Sequence, residues 1–357
     1  MENSPVQPVR VSSPSRIHCG LFSVGAPDAA GKSTFGGMGI MVEAPRTVVS
    51  IEPAAQLAIE TASTVGHDAS AELCHTVHNV VRLWLARYGS HCEEFSQRGL
   101  NAARLLQVED LPVRIMLEQV PPRHCGFGSG TQLALSVSAA LFHGLNQPLA
   151  APEEIAPVVG RGNRSAIGTH GFFSGGLLID RGKQPDSGLA PLDFRIDFPE
   201  HWPILLVVNR NARGAHGADE KAAFRRLPPT PEADRRDSIR LVRDEVVPAL
   251  TSLDYERFAS AVFEFGYRSG MLFQSVQGGP YNGPEIENTI RLIRETGIHA
   301  TGQSSWGPAV FAVTPDMESA GRLASQLREN VSASTEVIVT RADNSGVRIN
   351  AKPEFPA

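Results

Sequence analysis

Little in this sequence points to a covalent framework, a membrane or a nucleic acid. Its four cysteines, Cys19, Cys74, Cys92 and Cys125, stand far apart. With no CxxC pair and no histidine at a zinc-ligand spacing, they suggest neither a disulfide framework nor a structural zinc site, and they fit a reducing compartment. Lysines and arginines form no continuous stripe and the formal net charge is -5, which argues against a nucleic-acid partner, whose phosphates require a basic surface. The one basic cluster, Arg225, Arg226, Arg235, Arg236, Arg240 and Arg243, is interleaved with Asp234, Asp237, Asp244 and Glu245, the pattern of a solvated helix face. Apolar runs such as residues 204–208 are far too short to cross a bilayer, and no basic-then-apolar leader is legible. The expectation is a cytoplasmic protein with no membrane association.

A chain of 357 residues has room for two domains. The polar, proline-containing stretch 183–203 marks the expected boundary, giving units at 1–195 and 196–357. Strand-like alternation covers 9–24, 36–42 and 48–51, and apolar residues at Leu73, Val77, Val80, Val81, Trp84 and Leu85 predict an amphipathic helix over 71–88. A short helix is expected at 153–159, and strands at 175–180 and 202–209. Further on, helical patterns at 235–250, 255–269, 284–296 and 317–330 alternate with strands at 309–313 and 336–340. The mixture is that of an α+β protein.

The most informative stretch is PPRHCGFGSGTQ, residues 121–132, which breaks off a strand at 113–118 and leads into an apolar helix at 133–142. Gly126, Gly128 and Gly130 let the backbone take positive φ and approach a ligand closely, and amides opening a helix favour a phosphate. The stretch reads as an anion cradle; a glycine-rich turn with a Ser or Thr cap has the same local signature. A second string, APDAAGKS at 26–33, differs from a P-loop in its first glycine. It is followed by Thr34-Phe35-Gly36-Gly37, a poor helix start, so it reads as an exposed connection.

The glycine loop resembles the phosphate-binding motif of the GHMP kinase superfamily, with Phe127 in place of a leucine, and GQSSWGP at 302–308 resembles that superfamily's C-terminal glycine-rich motif. More closely, GFGSGTQLAL (126–135), SRIHCGL (15–21), GRGNRSAIG (160–168) and GQSSWGP resemble the β-ribofuranosylaminobenzene 5′-phosphate synthase family of the methanopterin pathway. The resemblance implies a two-domain GHMP-type fold with the active site in the interdomain cleft, and a homodimer. It implies condensation of phosphoribosyl pyrophosphate with 4-aminobenzoate, releasing carbon dioxide and pyrophosphate, with Mg2+ or another divalent cation and without ATP. Two departures weaken a kinase reading: Gly130 replaces the loop serine that helps hold nucleotide-bound magnesium, and Gly168 stands where kinases of the mevalonate type keep a catalytic aspartate. An ATP-dependent small-molecule kinase and a non-catalytic phosphosugar-binding protein are the rival readings.

The resemblance assigns the pyrophosphate to Gly126, Gly128, Ser129, Gly130, Thr131 and Gln132, and Arg161 and Arg164, on a glycine-rich turn, to a phosphate or a carboxylate. Arg16, Ser165, Gln303 and Trp306 are the expected substrate contacts, Trp306 as a platform for a flat ring. His18, His216, Ser304 and Ser305 are the candidates for chemistry. Each has a plain structural alternative: a histidine on a strand, a core tryptophan, surface arginines. Glu220 shares a helical face with His216 if that segment is helical, and His170 and Asn209 are weaker candidates. Cys19 departs from the aromatic that the family tends to show after His18. Metal ligands are not assigned.

Overall fold

Two sheets divide the chain in the computed structural model, which describes residues 6–25, 35–63, 65, 67–89, 108–162, 165–183, 188–209, 212 and 217–351. The first has seven strands. Its centre is β1 (Val9–Leu21) and β2 (Gly37–Pro53), antiparallel along almost their whole length. β3 (Ala58–Thr61) runs parallel to β4 (Val113–Gln119), and β4 pairs with the far half of β2. The near half of β2, Gly37 to Ile40, pairs instead with β5 (Leu177–Asp180), which carries β6 (Leu192–Ile196). The second sheet holds β7 (Ile204–Asn209), β8 (Thr301–Gln303), β9 (Val310–Val313) and β10 (Thr335–Thr340) in the order β10-β7-β9-β8.

Four helices serve the first sheet: α1 (His67–Tyr88), α2 (Ser129–Gly144), α3 (Pro152–Val158) and α4 (Ile167–Ser174). The sequence explains why α2 lies deepest. Alanines and serines from Ala134 to Ala140 leave it thin enough to lie on β1 and β2, and Ser13 and Ser136 satisfy each other there at 2.9 Å. Trp84 of α1 meets Phe142 of α2 edge-on at 5.2 Å. A second core joins the two sheets: Ile17, Met38 and Ile40 pack with Phe127, Trp202, Leu206, Phe258, Phe265 and Phe311. The second sheet's other face is covered by the helices Pro284–Glu295 and Met317–Asn330.

The α+β expectation and most element positions agree with the structure. Strands expected separately at 36–42 and 48–51 are one continuous β2, because β1 pairs across the interruption with a register shift. β3, α4, β6 and β8 were not foreseen. Nor was β11 (Arg348–Ala351), which pairs with β1 and returns the end of the second expected unit to the first sheet. A 195/196 division falls inside β6, whose Ile196 pairs with Leu177, and β11 also lies across it in the first sheet. The P-loop-like string at 26–33 lies outside the described residues.

Candidate active site

A cleft of about 220 Å³ opens where the end of β1, the start of α2, the turn after α3 and the string 303–306 converge. Its base is set by two glycine-rich strings locked backbone to backbone. Gly126 has φ 97, and a Cβ on it would lie 2.4 Å from the carbonyl oxygen of Ser304. From the opposite side, a Cβ on Gly307 would lie 2.3 Å from the amide nitrogen of Gly126. Ser304 closes the lock: its hydroxyl donates to Gly126 O at 2.8 Å and accepts from the His18 amide at 3.0 Å. The Ser305 amide then donates to His18 O at 3.2 Å, and the Arg16 amide to Phe127 O at 2.9 Å.

The Ser304 hydroxyl is thus committed to architecture rather than to chemistry. Ser304→Ala is expected to lower stability by about 1–3 kcal/mol, the effect of orphaning buried hydrogen-bonding groups, with most of the turnover retained. Thermal denaturation alongside steady-state rates checks this; an unchanged melting temperature with lost turnover would return Ser304 to the reaction.

At the start of α2 the backbone is open. Gly128 is the N-cap at φ 68, and no side chain caps the helix. The amides of Thr131 and Gln132 turn back to Gly128 O, whereas those of Ser129 and Gly130 meet no carbonyl among the described residues. Helix α4, beside it, differs: Asp180, fully buried, accepts from the amides of Ala166 (2.8 Å) and Gly182 (2.9 Å) and from the Ser165 hydroxyl (2.9 Å). One helix start therefore has its own anion and the other does not.

Two arginines face that open start. A Cβ on Gly128 would stand 3.4 Å from Arg16 Nε, and one on Gly130 would stand 3.3 Å from Arg161 Nη2 and 3.5 Å from Nη1. A Cβ at either position would press on an arginine side chain, and a longer side chain at 130 would compete with the Arg161 guanidinium for room. Arg161 forms no ion pair with a carboxylate among the described residues, and its Nε is buried without a partner. Burial, then the nearby Arg123, lower its pKa, but an arginine stays charged. Arg123 is itself engaged, by Glu72 at 3.2 Å and by the Thr76 hydroxyl at 2.9 Å.

The far end of the cleft is aromatic. Trp306 packs against Phe224 (centroids 5.1 Å apart) and Phe273 (5.0 Å), with Leu21 in the same cluster. Its ring is a wall held by protein neighbours rather than a bare platform, and its Nε1 is buried without a partner among the described residues. Tyr281 and Gln277 line the same end. Nothing local in the sequence marks Phe224, Phe273 or Tyr281; only the tertiary fold gathers them.

Of the expected residues, Arg16, His18, Thr131, Arg161, Ser165, Gln303, Ser305 and Trp306 line the cleft. Three of the side chains assigned to ligands are spent on the protein. Gln132 donates to Gly168 O at 2.8 Å. Gln303 bridges the Asn282 amide and Ser305 O, both at 2.8 Å, and so shapes the turn that carries Trp306. Ser165 holds Asp180. Ser129 is buried, with its hydroxyl 3.5 Å from Pro122 O, so it offers an amide rather than a side chain. His170 meets Ala190 O at 2.9 Å, and Asn209 donates to Glu285 at 2.8 Å; both are structural contacts. Arg164, His216 and the Glu220 side chain lie outside the described residues. A Cβ on Gly168 would face Thr131 Cγ2 at 3.5 Å, so this position looks toward the first turn of α2 and presents no side chain to it.

No Asp or Glu lines the cleft among the described residues, nor does any group of three or more His, Cys, Asp or Glu gather there or elsewhere among them to hold a metal. Hard divalent cations take carboxylate oxygens, so the residues described do not fit a protein-held metal. The one thiol on the wall, Cys19, is pushed up to about 12 by burial, against the pull of Arg16. Iodoacetamide at neutral to mildly basic pH is therefore expected to leave Cys19 unmodified in the native protein and to modify it after denaturation, read by peptide mass. Burial also lifts Tyr281 to about 12. Both groups favour the folded state while protonated, so stability present below their ordinary values of 9.0 and 10.0 is lost as pH climbs toward 12.

A model described as "GHMP kinases C terminal" matches residues 246–333. The chain is 29% identical over 350 residues to the β-ribofuranosylphenol 5′-phosphate synthase of Methanothermobacter thermautotrophicus, covering 94% of this chain and 97% of that protein. It is 29% identical over 364 residues to the enzyme of the same name from Archaeoglobus fulgidus, covering 96% and 99%. Among solved structures, a homoserine kinase from Cytophaga hutchinsonii aligns over 98% of this chain and 99% of its own, with a TM-score of 0.57 at 15% identity. That likeness is one of fold.

Proposed function

We propose that this chain, which belongs to the GHMP superfamily, is a phosphoribosyl-transferring, decarboxylating synthase of tetrahydromethanopterin biosynthesis. It joins phosphoribosyl pyrophosphate to a para-substituted benzoate. One observation carries the reading: the cleft is cationic and open at the start of α2, aromatic at its far end, and free of carboxylates among the described residues.

The chemistry follows from what is there. The bond from the anomeric carbon to the diphosphate oxygen breaks, and its electron pair leaves with pyrophosphate toward Arg161, Arg16 and the amides of Ser129 and Gly130. The ring carbon bearing the carboxylate attacks the electron-poor ribose carbon. The bond to the carboxylate then breaks, its pair restores the aromatic ring, and carbon dioxide departs. No proton has to be taken from the ring, so a cleft without a carboxylate base suffices, and a suppressed Cys19 thiol does not compete for the ribose cation. The aromatic end, with Trp306, Phe224 and Phe273, receives the benzoate.

The relatives' name specifies a phenol, with a hydroxyl where the sequence reading placed an amino group. Both groups donate a lone pair to the ring carbon opposite, and we take 4-hydroxybenzoate as the first acceptor to try and 4-aminobenzoate as the second. The kinase reading is weakened by Gly168 and Gly130, which stand where kinases of the mevalonate type keep a catalytic aspartate and a serine near the nucleotide-bound magnesium. Incubating the protein with phosphoribosyl pyrophosphate and each acid in turn, with magnesium and without ATP, is expected to give an aryl riboside phosphate detectable by mass. ATP turnover with no such product would refute the reading, as would tight phosphosugar binding with no turnover under any metal.

A further inference from the structure

Among the described residues, the diphosphate end of this cleft offers the guanidinium groups of Arg16 and Arg161, the first-turn amides of α2 and the Thr131 side chain, and no carboxylate. Where a loop hydroxyl would point, Gly130 has no side chain, and the guanidinium of Arg161 fills the space 3.3 Å from where its Cβ would be. That guanidinium has no carboxylate partner among the described residues, and Arg123, a like charge that acts on it, is already taken by Glu72. A metal ion at the same place would sit against a positive charge, with no carboxylate among the described lining residues to hold it. The neighbouring helix α4 shows the contrast: its start is met by Asp180, a residue of the chain itself.

We infer that Arg161 takes the part of a protein-held metal at the glycine loop. The diphosphate is bound by Arg161, Arg16 and the first-turn amides of α2, and a divalent cation, when present, enters on the diphosphate and is held by it rather than by this chain. The inference rests on reading the cleft as a diphosphate site. Gly130 then has a specific purpose, which is to leave room for the guanidinium, and the pair 130 and 161 acts as a unit.

Inorganic pyrophosphate titrated calorimetrically into the whole protein in EDTA tests this, with Mn2+ alone followed in parallel by the spin resonance of the free ion. The wild type is expected to bind pyrophosphate in EDTA, with added magnesium changing the affinity less than Arg161→Ala does, and to leave Mn2+ free in the absence of anion. Arg161→Ala is expected to weaken binding at least about tenfold, the scale of a lost charge-assisted pair, and Gly130→Ser to do likewise by displacing the guanidinium, with Arg161→Lys between them and the wild type. Binding that appears only with magnesium, or Mn2+ held by the protein alone, overturns the inference while leaving the diphosphate reading intact. Those two titrations use the wild type, so a misfolded variant cannot blur them. No pyrophosphate binding in either condition overturns both.

Discussion

Arg161→Ala is expected to lower kcat/KM for phosphoribosyl pyrophosphate by about a hundred- to a thousandfold, the scale of removing one preorganised donor from a developing anion. The charge on the departing diphosphate grows in the transition state, and this half-buried guanidinium, already beside the first turn of α2, is paired with no acid among the described residues. It therefore has no carboxylate among the described residues to leave when it meets that charge. Arg161→Lys keeps the charge but loses the planar fork, so partial recovery is expected. KM for the benzoate should change little, because the aromatic wall is formed by other residues. Steady-state kinetics with each substrate varied in turn provides the check; equal losses on both substrates would mean that Arg161 supports the cleft generally instead of serving the diphosphate.

The second large effect is expected at the seam between the two glycine strings. Gly126→Ala places a methyl carbon 2.4 Å from the Ser304 carbonyl oxygen at a residue with φ 97. Backbone must move on one side or the other, and it cannot move cheaply, because Ser304 is tied to both Gly126 and His18. The unfavourable φ and the overpacking together cost roughly 2–5 kcal/mol. Gly307→Ala meets the same seam from the other side, 2.2 Å from the Cys125 carbonyl carbon, and should be comparably destabilised. Gly168→Ala is the matched control: its Cβ would make ordinary contacts at 3.5 and 3.8 Å inside a helix, so neutral to slightly higher stability is expected. Chemical denaturation of the three variants measures this. A Gly126 variant as stable as the Gly168 variant would mean the strings are not locked as described.

These two effects also show how far the sequence could be read. The strand, glycine loop and helix proposed as a cradle were legible because they are local and follow one another within 113–142. The purpose of Ser304 was not, because its partner Gly126 is 178 residues away and the hydroxyl's task is set by tertiary contact. Arg161 could be chosen by residue type and by its glycine-rich turn, but its relation to Gly130 exists only in three dimensions. The short helix α4 carries two glycines among eight residues and little intrinsic propensity. It is held from outside by Asp180, whose contribution no local pattern announces. Strand β11, mostly exposed, has no apolar alternation to betray it, and only its pairing with β1 defines it. Phe224 and Phe273 fall in no element read from the sequence, and they form a wall because each packs on Trp306 and on the other.

Attack from the carboxylate-bearing carbon, with carbon dioxide leaving in place of a proton, is the step that gives meaning to a cleft lined by no Asp or Glu among the described residues. Ring-deuterated, carboxyl-labelled 4-hydroxybenzoate, incubated with the protein and phosphoribosyl pyrophosphate without ATP, tests it in a single product analysis. The expected product keeps all of its ring deuterium, with labelled carbon dioxide and pyrophosphate released in equal amounts. A product that has lost ring deuterium and retained its carboxyl group would contradict the account, since a ring proton would then have left in place of carbon dioxide.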